Sequence, residues 1–161
     1  MSAIPHPSEL MSAYLPANDG YMELSVGDPL EKKATLGDYH EYPINGRDSL
    51  GAIECFRRFS DFVTFHKVLL ERFPGLYIPP IPPKAQDKKG AATLEERRYF
   101  LDLFLKESVS LPYLVASPEM QTFLRPNGAV EKELSKLYRV RATELLTVYR
   151  STIRIPEVSK R

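Results

Sequence analysis

The sequence is short of several features that define large classes of protein. It has one cysteine, Cys55, which excludes an internal disulfide and favours a reduced, cytosolic setting. The first twenty residues lack the basic and apolar pattern of a signal peptide, and Asp102 interrupts the apolar stretch near residues 100–105, so no membrane span is predicted. The 22 basic and 21 acidic residues leave a net charge of +1. A field that holds nucleic acid along a whole face is therefore not expected, and any anion site must be local.

The residues of common catalytic centres are also missing from recognisable patterns. No metal-ligand spacing and no glycine-rich phosphate loop is present. Cys55 has no identifiable activating neighbour, and His66 lies on a helical stripe where a packed histidine is the ordinary case. We therefore expect a protein that is not an enzyme and that uses no cofactor and no metal.

The length of 161 residues predicts one domain with some additional tail. Residues 1–19 are rich in proline and turn residues and are predicted to be a flexible arm. Residues 20–126 are predicted to form the domain, because Arg125-Pro126-Asn127-Gly128 is the clearest boundary in the chain. Residues 127–161 are predicted to hold an amphipathic helix to about Ile153 and a tail. The partner of its apolar face could be the domain, a second copy of the chain or further sequence.

The pattern of apolar residues predicts an α+β fold. Alternation predicts three strands, at residues 22–26, 40–44 and about 52–58, in a small antiparallel meander. Pro43 can donate no ladder hydrogen bond, so it belongs on an edge or at an irregularity. Asn45-Gly46 is typical of a turn or loop.

After the third strand the apolar spacing changes to that of helices. A stripe from Phe59 to Phe73 predicts a helix with Ser60 or Asp61 as its N-cap. Residues 79–83 contain four prolines and are predicted to be a stiff polyproline II segment. Thr93 has capping-box spacing to Glu96 and predicts a second helix, from there to about Ser108. Ser117-Pro118 predicts the start of a further short helix.

Four side chains stand out as candidates for binding a phosphorylated sugar. Arg58 and Arg97 can each bind two phosphate oxygens with a rigid fork, Lys84 follows the stiff proline segment, and Phe59 could provide a flat floor for a sugar ring. Taken singly, each has an ordinary structural explanation. Arg97 could extend along the margin of a packed stripe, Phe59 could be core, and Lys84 could be solvated.

In combination, these segments resemble the phox-homology (PX) domain of the sorting nexin family over about Met22 to Pro126. The matching motifs are Arg57-Arg58-Phe59-Ser60-Asp61-Phe62, Phe73-Pro74, Ile78 to Lys84, Glu95-Glu96-Arg97-Arg98, Leu101, Phe104-Leu105, Leu111-Pro112, Ser117 and Phe123-Leu124. The resemblance implies a three-stranded antiparallel sheet packed on a helical subdomain, with a phosphoinositide pocket between them.

The resemblance also implies a role for each candidate. Arg58 matches the ligand of the 3-phosphate, Phe59 the ring beneath the inositol, Lys84 the ligand of the 1-phosphate and Arg97 the ligand of the 4- and 5-hydroxyls. Tyrosine is commoner than phenylalanine at the ring position. The implied partner is phosphatidylinositol 3-phosphate, and the implied function is recruitment of a sorting-nexin-like protein to early endosomal membranes for protein sorting.

The loop between Lys84 and Arg97 lacks large apolar residues, so its hold on a bilayer is expected to be weak. Lys88 and Lys89 could contact the membrane surface, each adding roughly 1 kcal/mol. Homo- or hetero-oligomerisation through the C-terminal helix would strengthen that hold by avidity.

Two other functions fit parts of the sequence. Pro79 to Lys84 has the P-x-x-P spacing of a ligand for an SH3 domain. Alternatively, the C-terminal helix could be the working surface of a protein-interaction module that binds lipid weakly or not at all. The sequence does not reveal a cargo, a coat partner or a following BAR-type region.

Overall fold

Four strands and five helices follow one another in residues 20–86 and 89–137, which the computed structural model describes. The strands are β1 (Met22–Val26), β2 (Leu30–Lys32), β3 (Tyr39–Asp48) and β4 (Gly51–Arg58). The helices are α1 (Phe59–Arg72), α2 (Ala91–Ser108), α3 (Pro112–Val115), α4 (Pro118–Leu124) and α5 (Val130–Leu137). The predicted α+β class is confirmed. Among the described helices, none combines the length and the apolar character that crossing a bilayer requires.

β3 is the central strand of the antiparallel sheet. β4 pairs with it along one side, from Glu41 opposite Arg58 to Asp48 opposite Gly51. β1 and β2 lie end to end along the other side, each paired with a different half of β3. The predicted three-stranded meander is thus confirmed, with three rows of strands: β1 and β2 together, then β3, then β4. The first row is divided into two strands, and the sequence did not predict the short second one.

Pro43 lies where the first row is interrupted. Its carbonyl accepts a hydrogen bond from the Gly27 amide at 2.9 Å, so its nitrogen faces the same row. A proline nitrogen carries no hydrogen, and residues 27–29 leave the ladder at that point. Pro43 therefore lies on the central strand at an irregularity, which was one of the two predicted positions.

The prediction of a turn at Asn45-Gly46 was wrong. Both residues lie within β3, and Gly46 pairs with Leu24 on one side and Ile53 on the other. A Cβ atom built on Gly46 would lie 1.9 Å from the Glu23 carbonyl oxygen, so glycine is required there by close contact between strands. The hairpin turn lies further on, where Gly51 has a φ of 125°.

The core lies between the inner face of the sheet and the helices. β1 alternates strictly between buried and exposed residues, as a half-buried strand should. Phe65 and Phe123 stack in parallel with their ring centroids 4.2 Å apart, and Phe62 and Phe104 meet these rings edge on. This aromatic cluster joins α1, α2 and α4, and it holds the helical layer in place beneath the sheet.

Two predicted helix starts were wrong by a few residues. α1 begins at Phe59 with Arg58 as its N-cap, and Asp61 bonds back to the Arg58 amide at 2.8 Å. Aspartate can stabilise a first turn from this inner position because it accepts the free amide of the cap. α2 begins at Ala91 after Gly90, ahead of Thr93. The predicted start of α4 is confirmed, since Ser117 accepts from the Met120 amide at 3.1 Å.

An ion pair fastens the end of the sheet to the helices. The Arg125 guanidinium donates to both carboxylate oxygens of Asp48, at 2.7 and 2.8 Å. The Asp48 side chain is fully buried, and these bonds hold the pKa of its carboxyl below the ordinary value. The bridge therefore connects the β3–β4 turn to the end of α4.

α5 packs against α1 and α4 and buries Val130 and Leu134. For this part of the predicted C-terminal helix, the domain itself covers the apolar face. The remainder of that helix and the predicted arm at 1–19 lie outside the described residues. The division at residue 126 stays a prediction, although α5 continues the packed core beyond it.

Candidate functional site

Arg58 and Phe59 lie at the junction where strand β4 ends and helix α1 begins. Arg58 ends β4 and is exposed, whereas Phe59 begins α1 and is half-buried. Strand alternation explains the exposure of Arg58, because Ile53, Cys55 and Arg57 face inward and Arg58 faces outward with Phe56. The junction therefore presents one cation to solvent beside one aromatic ring.

Arg97 approaches this junction from α2. Its guanidinium carbon lies 3.9 Å from the centroid of the Phe59 ring, the distance of a close cation–π contact. Arg97 is only 7% exposed, because it lies on the inner stripe of α2 beside Leu101 and Phe104. The structure thus brings together two of the four predicted site residues, Phe59 and Arg97. One face of the Phe59 ring is occupied by the arginine.

The surroundings of Arg97 leave its charge without a counter-charge. Its buried Nε has no hydrogen-bond partner, and no carboxylate of the described residues forms an ion pair with it. The fully buried Tyr42 lies close by. Burial raises the pKa of the Tyr42 hydroxyl, and the Arg97 cation partly opposes that rise. A buried guanidinium in this state is unfavourable unless an anion or hydroxyl groups approach it.

Arg58 stacks on a ring that the sequence analysis missed. Its guanidinium carbon lies 4.1 Å from the centroid of Tyr39, at the start of β3. The strand register would have revealed this contact, since Glu41 lies opposite Arg58 and Tyr39, two residues before Glu41, lies on the same face of the sheet. Predicting that register required the true bounds of β3, which the sequence analysis placed only at residues 40–44.

Most other arginines of the described residues have assigned partners. Arg57 donates to the carbonyls of Phe56, Phe123 and Leu124, at 2.6 to 3.3 Å. Arg72, Arg98 and Arg125 form ion pairs with Glu119, with Asp28 and Glu95, and with Asp48. Arg58 and Arg97 differ because neither guanidinium is assigned a carboxylate or carbonyl partner among the described residues, and each lies over an aromatic ring instead. Their donors are therefore available to an anionic ligand.

The proline segment is anchored to the helical layer. Ile78, Pro79 and Pro82 are buried, and Pro80 and Pro83 are exposed. The His66 ring donates to the Pro79 carbonyl, and the Tyr113 hydroxyl donates to the Tyr77 carbonyl at 2.5 Å. Burial lowers the pKa of His66. This histidine therefore has a structural task, as expected from its position on the helical stripe.

Lys84 follows this anchored segment and is exposed. It forms no ion pair with the described residues, and no described contact joins it to Arg58, Phe59 or Arg97. Lys89 is exposed as well, whereas Lys88 lies outside the described residues. The membrane contacts predicted for the two lysines stay predictions.

Cys55 is half-buried on the inner side of β4. Burial raises the pKa of its thiol, which keeps the sulfur protonated and unreactive at neutral pH. This environment is that of a packing residue and not of an activated nucleophile.

The family of the chain follows from comparison with known sequences. The sequence model of the PX domain matches residues 47–127, the range that carries β4, α1, the proline segment and α2. The chain belongs to the PX domain family. Domains of this family bind phosphoinositide lipids, and the resemblance stated from the motifs is confirmed.

Its relatives include sorting nexins. Sorting nexin 1 of Arabidopsis thaliana is 28% identical over 144 residues, which cover 84% of this chain and 35% of that protein. Sorting nexin-2 of Homo sapiens is 27% identical over 121 residues, which cover 64% of this chain and 23% of that protein. The chain thus spans about a third or less of the length of these curated relatives.

A solved structure shares the fold. A designed CISK-PX domain superimposes with a TM-score of 0.58 at 28% identity, covering 64% of this chain and 98% of that chain. The antiparallel sheet and the packed helices therefore form a PX fold.

Proposed function

We propose that the chain binds the headgroup of phosphatidylinositol 3-phosphate and thereby recruits its protein to endosomal membranes. Arg58 binds the 3-phosphate, and Arg97 binds the 4- and 5-hydroxyls. Lys84 binds the 1-phosphate from the end of the proline segment. The inositol packs against the exposed part of the half-buried Phe59 ring that Arg97 does not cover.

The observation that carries this proposal is the unpaired, buried charge of Arg97. Proteins seldom bury a guanidinium without a carboxylate, because desolvation is expensive. A ligand with hydroxyls or phosphates would supply the missing hydrogen bonds. The stacking on Phe59 holds the guanidinium in one orientation before the ligand arrives, so little conformational entropy is lost on binding.

The preference for the 3-phosphate follows from the same arrangement. Arg97 lies deep in the domain, and its guanidinium is in close contact with the Phe59 ring. We expect it to accommodate two hydroxyls at close range and to leave little room for a 4- or 5-phosphate. Titration against vesicles that each contain a single phosphoinositide tests this preference, and equal binding of bisphosphorylated lipids would contradict it.

Vesicle sedimentation with the whole chain tests the residue assignments. Each lost charge-assisted hydrogen bond costs about 1.5–3 kcal/mol, so Arg58→Ala and Arg97→Ala should each weaken binding roughly tenfold to a hundredfold. Lys84→Ala should weaken it less, because a lysine is a mobile point charge.

Arg98→Ala is the matched control for Arg97→Ala. Arg98 is the next residue of α2, but it pairs with Glu95 and Asp28 near the surface. We expect its removal to leave phosphatidylinositol 3-phosphate binding within about twofold of the wild type. Equal losses in both variants would show that only general surface charge matters, and the site assignment would then be wrong.

We further propose that the protein is peripheral on early endosomes and acts in protein sorting without catalysis. The kinship with sorting nexins supports this role. A fluorescent fusion should colocalise with early endosomal markers, and Arg58→Ala should disperse it. We propose residues 20–126 as the lipid-binding unit, with Lys88 and Lys89 adding surface contacts and further membrane hold coming from oligomerisation.

The structure gives less support to a role as an SH3 ligand. An SH3 groove grips two ridges of a polyproline helix, and in this chain Ile78, Pro79 and Pro82 are buried in the domain's own core. Binding would require the segment to detach from His66 and Tyr113. A module that works through the C-terminal helix without lipid would be favoured if no phosphoinositide sedimented the wild-type chain.

A further inference from the structure

The outer face of α2 carries large apolar side chains that remain substantially exposed within the described residues. Tyr99, Phe100 and Leu103 are 57%, 40% and 39% exposed, and we call these three residues the outer stripe. The rings of Tyr99 and Phe100 meet edge to face at 5.2 Å, so the stripe presents a continuous surface. The opposite face of the same helix buries Leu101, Phe104 and Leu105. An exposed apolar surface of this kind is typical of an interaction site.

The charges that flank the stripe have opposite signs at its two ends. Glu96 lies one turn before Tyr99, and Lys106 lies one turn after Leu103. Both side chains are exposed. Lys106 also contacts Asp102 at 2.6 Å, but its side chain remains 57% exposed and keeps donors for a second partner.

Four of these residues are arranged symmetrically about the position of Leu101. Glu96 lies five residues before Leu101 and Lys106 five residues after it, and Tyr99 and Leu103 lie two residues on either side. A two-fold axis that passes near residue 101 would therefore place Glu96 of each copy opposite Lys106 of the other, which gives two equivalent contacts. The same axis would place Tyr99 opposite Leu103. A parallel pairing would instead put like charges together.

We propose that the outer stripe of α2 is a self-association surface, on which a second copy of this chain docks with its own α2 antiparallel. Self-complementarity under a two-fold rotation is the requirement for a closed homodimer. The occupant is a second copy because the stripe matches its own reversed charge pattern. A uniformly acidic or basic partner would satisfy only one end.

The association is weak in solution. One helix face buries less area than the roughly 1,200 Å² of a small stable interface, so the dimer is in rapid exchange. The headgroup site is not needed for it, since Arg97 lies on the inner side of α2 and the stripe on the outer side. A dimer nonetheless carries two headgroup sites in one particle, which strengthens binding to a membrane that displays many lipids.

Sedimentation equilibrium of the whole chain without lipid tests the proposal, at concentrations up to about 1 mM. The wild type should show a reversible monomer–dimer equilibrium. Glu96→Lys and Lys106→Glu each create two like-charge contacts in the dimer, and each should weaken association roughly fivefold to tenfold. Leu103→Ser removes apolar contact area and should weaken it as well.

The decisive experiment is an equimolar mixture of Glu96→Lys and Lys106→Glu. In the mixed dimer every contact again joins opposite charges, so association should return to near the wild-type level. Lys132→Glu, a reversal of an exposed lysine on α5, is the matched control and should change nothing. Thermal melting confirms that the variants are folded.

Two results would overturn the proposal. One is a wild-type chain that remains monomeric across the whole concentration range. The other is a mixture that associates no better than its separate components. Neither result bears on headgroup binding, which is measured with vesicles and with Arg58→Ala.

Discussion

Arg57 and Arg58 are neighbours in sequence but face opposite sides of β4. Arg57 points inward, is 8% exposed and donates to the last two carbonyls of α4. Arg58 points outward and stacks on Tyr39. Because successive residues of a strand alternate between faces, one arginine holds the fold together while the next is free for a ligand.

This contrast predicts a clean separation of stability from binding. Arg57→Ala leaves the carbonyls of Phe123 and Leu124 buried and unpaired, so it should lower the free energy of unfolding by about 2–4 kcal/mol. Arg58→Ala should change stability by less than about 0.5 kcal/mol, since its side chain is exposed. Urea unfolding and vesicle sedimentation of both variants measure the two effects. An Arg58→Ala variant that is strongly destabilised would contradict this division.

The Asp48–Arg125 pair should make stability depend on pH in the acid range. The pKa of Asp48 is lower in the folded protein, so the pair contributes fully above the ordinary value of an aspartate and is lost as the pH falls through the folded value. Arg125→Met leaves a buried carboxylate unpaired and should cost about 2–4 kcal/mol near pH 7.

That cost should shrink as the pH falls below about 4, because protonation of Asp48 removes the unpaired charge from the variant. Denaturant unfolding of both proteins between neutral and acid pH measures the difference. Lys67→Met, which alters an exposed lysine, is the control and should differ from the wild type equally at every pH. A constant difference for Arg125→Met would show that Asp48 does not titrate with the bridge.

The strands and helices were predictable to different degrees, for physical reasons. β1, α1 and α2 were found because each buries one face, and burial on one face imposes a clear period on the sequence. β2 was missed because all three of its residues are exposed, so it has no apolar alternation. The turn prediction at Asn45-Gly46 failed because Gly46 is required by its close contact with the neighbouring strand β1. Local turn preferences contain no information about such a contact.

Gly46 offers a test of how closely β1 and β3 approach. Gly46→Ala would bring a methyl group against the Glu23 carbonyl and a Leu24 methyl, so the strands must separate. We expect a loss of about 3 kcal/mol in the free energy of unfolding. Gly128→Ala is the matched control, because its nearest atom, a Glu133 carboxylate oxygen, would lie 3.5 Å away. A neutral Gly46→Ala would mean that the sheet adjusts freely at this point.

The candidate site was predicted in its residues but not in its arrangement. Motif order was enough to select Arg58, Phe59, Lys84 and Arg97. The contact of Arg97 with Phe59 depends on how α2 packs against the junction of β4 and α1, and Tyr39 enters through strand register. Such contacts join residues far apart in the chain, and composition and local periodicity carry no information about them.

Considered as a whole, the molecule has almost no net charge, because its 22 basic residues are nearly balanced by 21 acidic ones. Arg72, Arg98, Lys106, Arg125 and Lys136 all have carboxylate partners. General attraction to an anionic surface should therefore be slight. If the proposed function is right, membrane binding should depend on specific headgroup contacts, above all those of Arg58 and Arg97.

We accordingly expect vesicles of phosphatidylcholine and phosphatidylserine, without phosphoinositide, to retain only a small fraction of the chain at about 0.15 M salt. Each lysine near such a surface adds roughly 1 kcal/mol, which is too little for stable attachment by one or two residues. Sedimentation with and without phosphatidylinositol 3-phosphate makes the comparison. Equal retention in both mixtures would mean that the membrane recognises diffuse charge.

The wholly exposed Leu36 lies in the turn between β2 and β3, three residues before the ring on which Arg58 stacks. A thiol introduced there by Leu36→Cys would meet maleimide dyes in open solvent, whereas the protonated thiol of Cys55 would react slowly. A single substitution would thus give a singly labelled chain, and a change in its fluorescence on addition of vesicles would test whether this turn lies near the proposed membrane contact. The exposed turn at Leu36 is therefore a suitable position for a fluorescent probe.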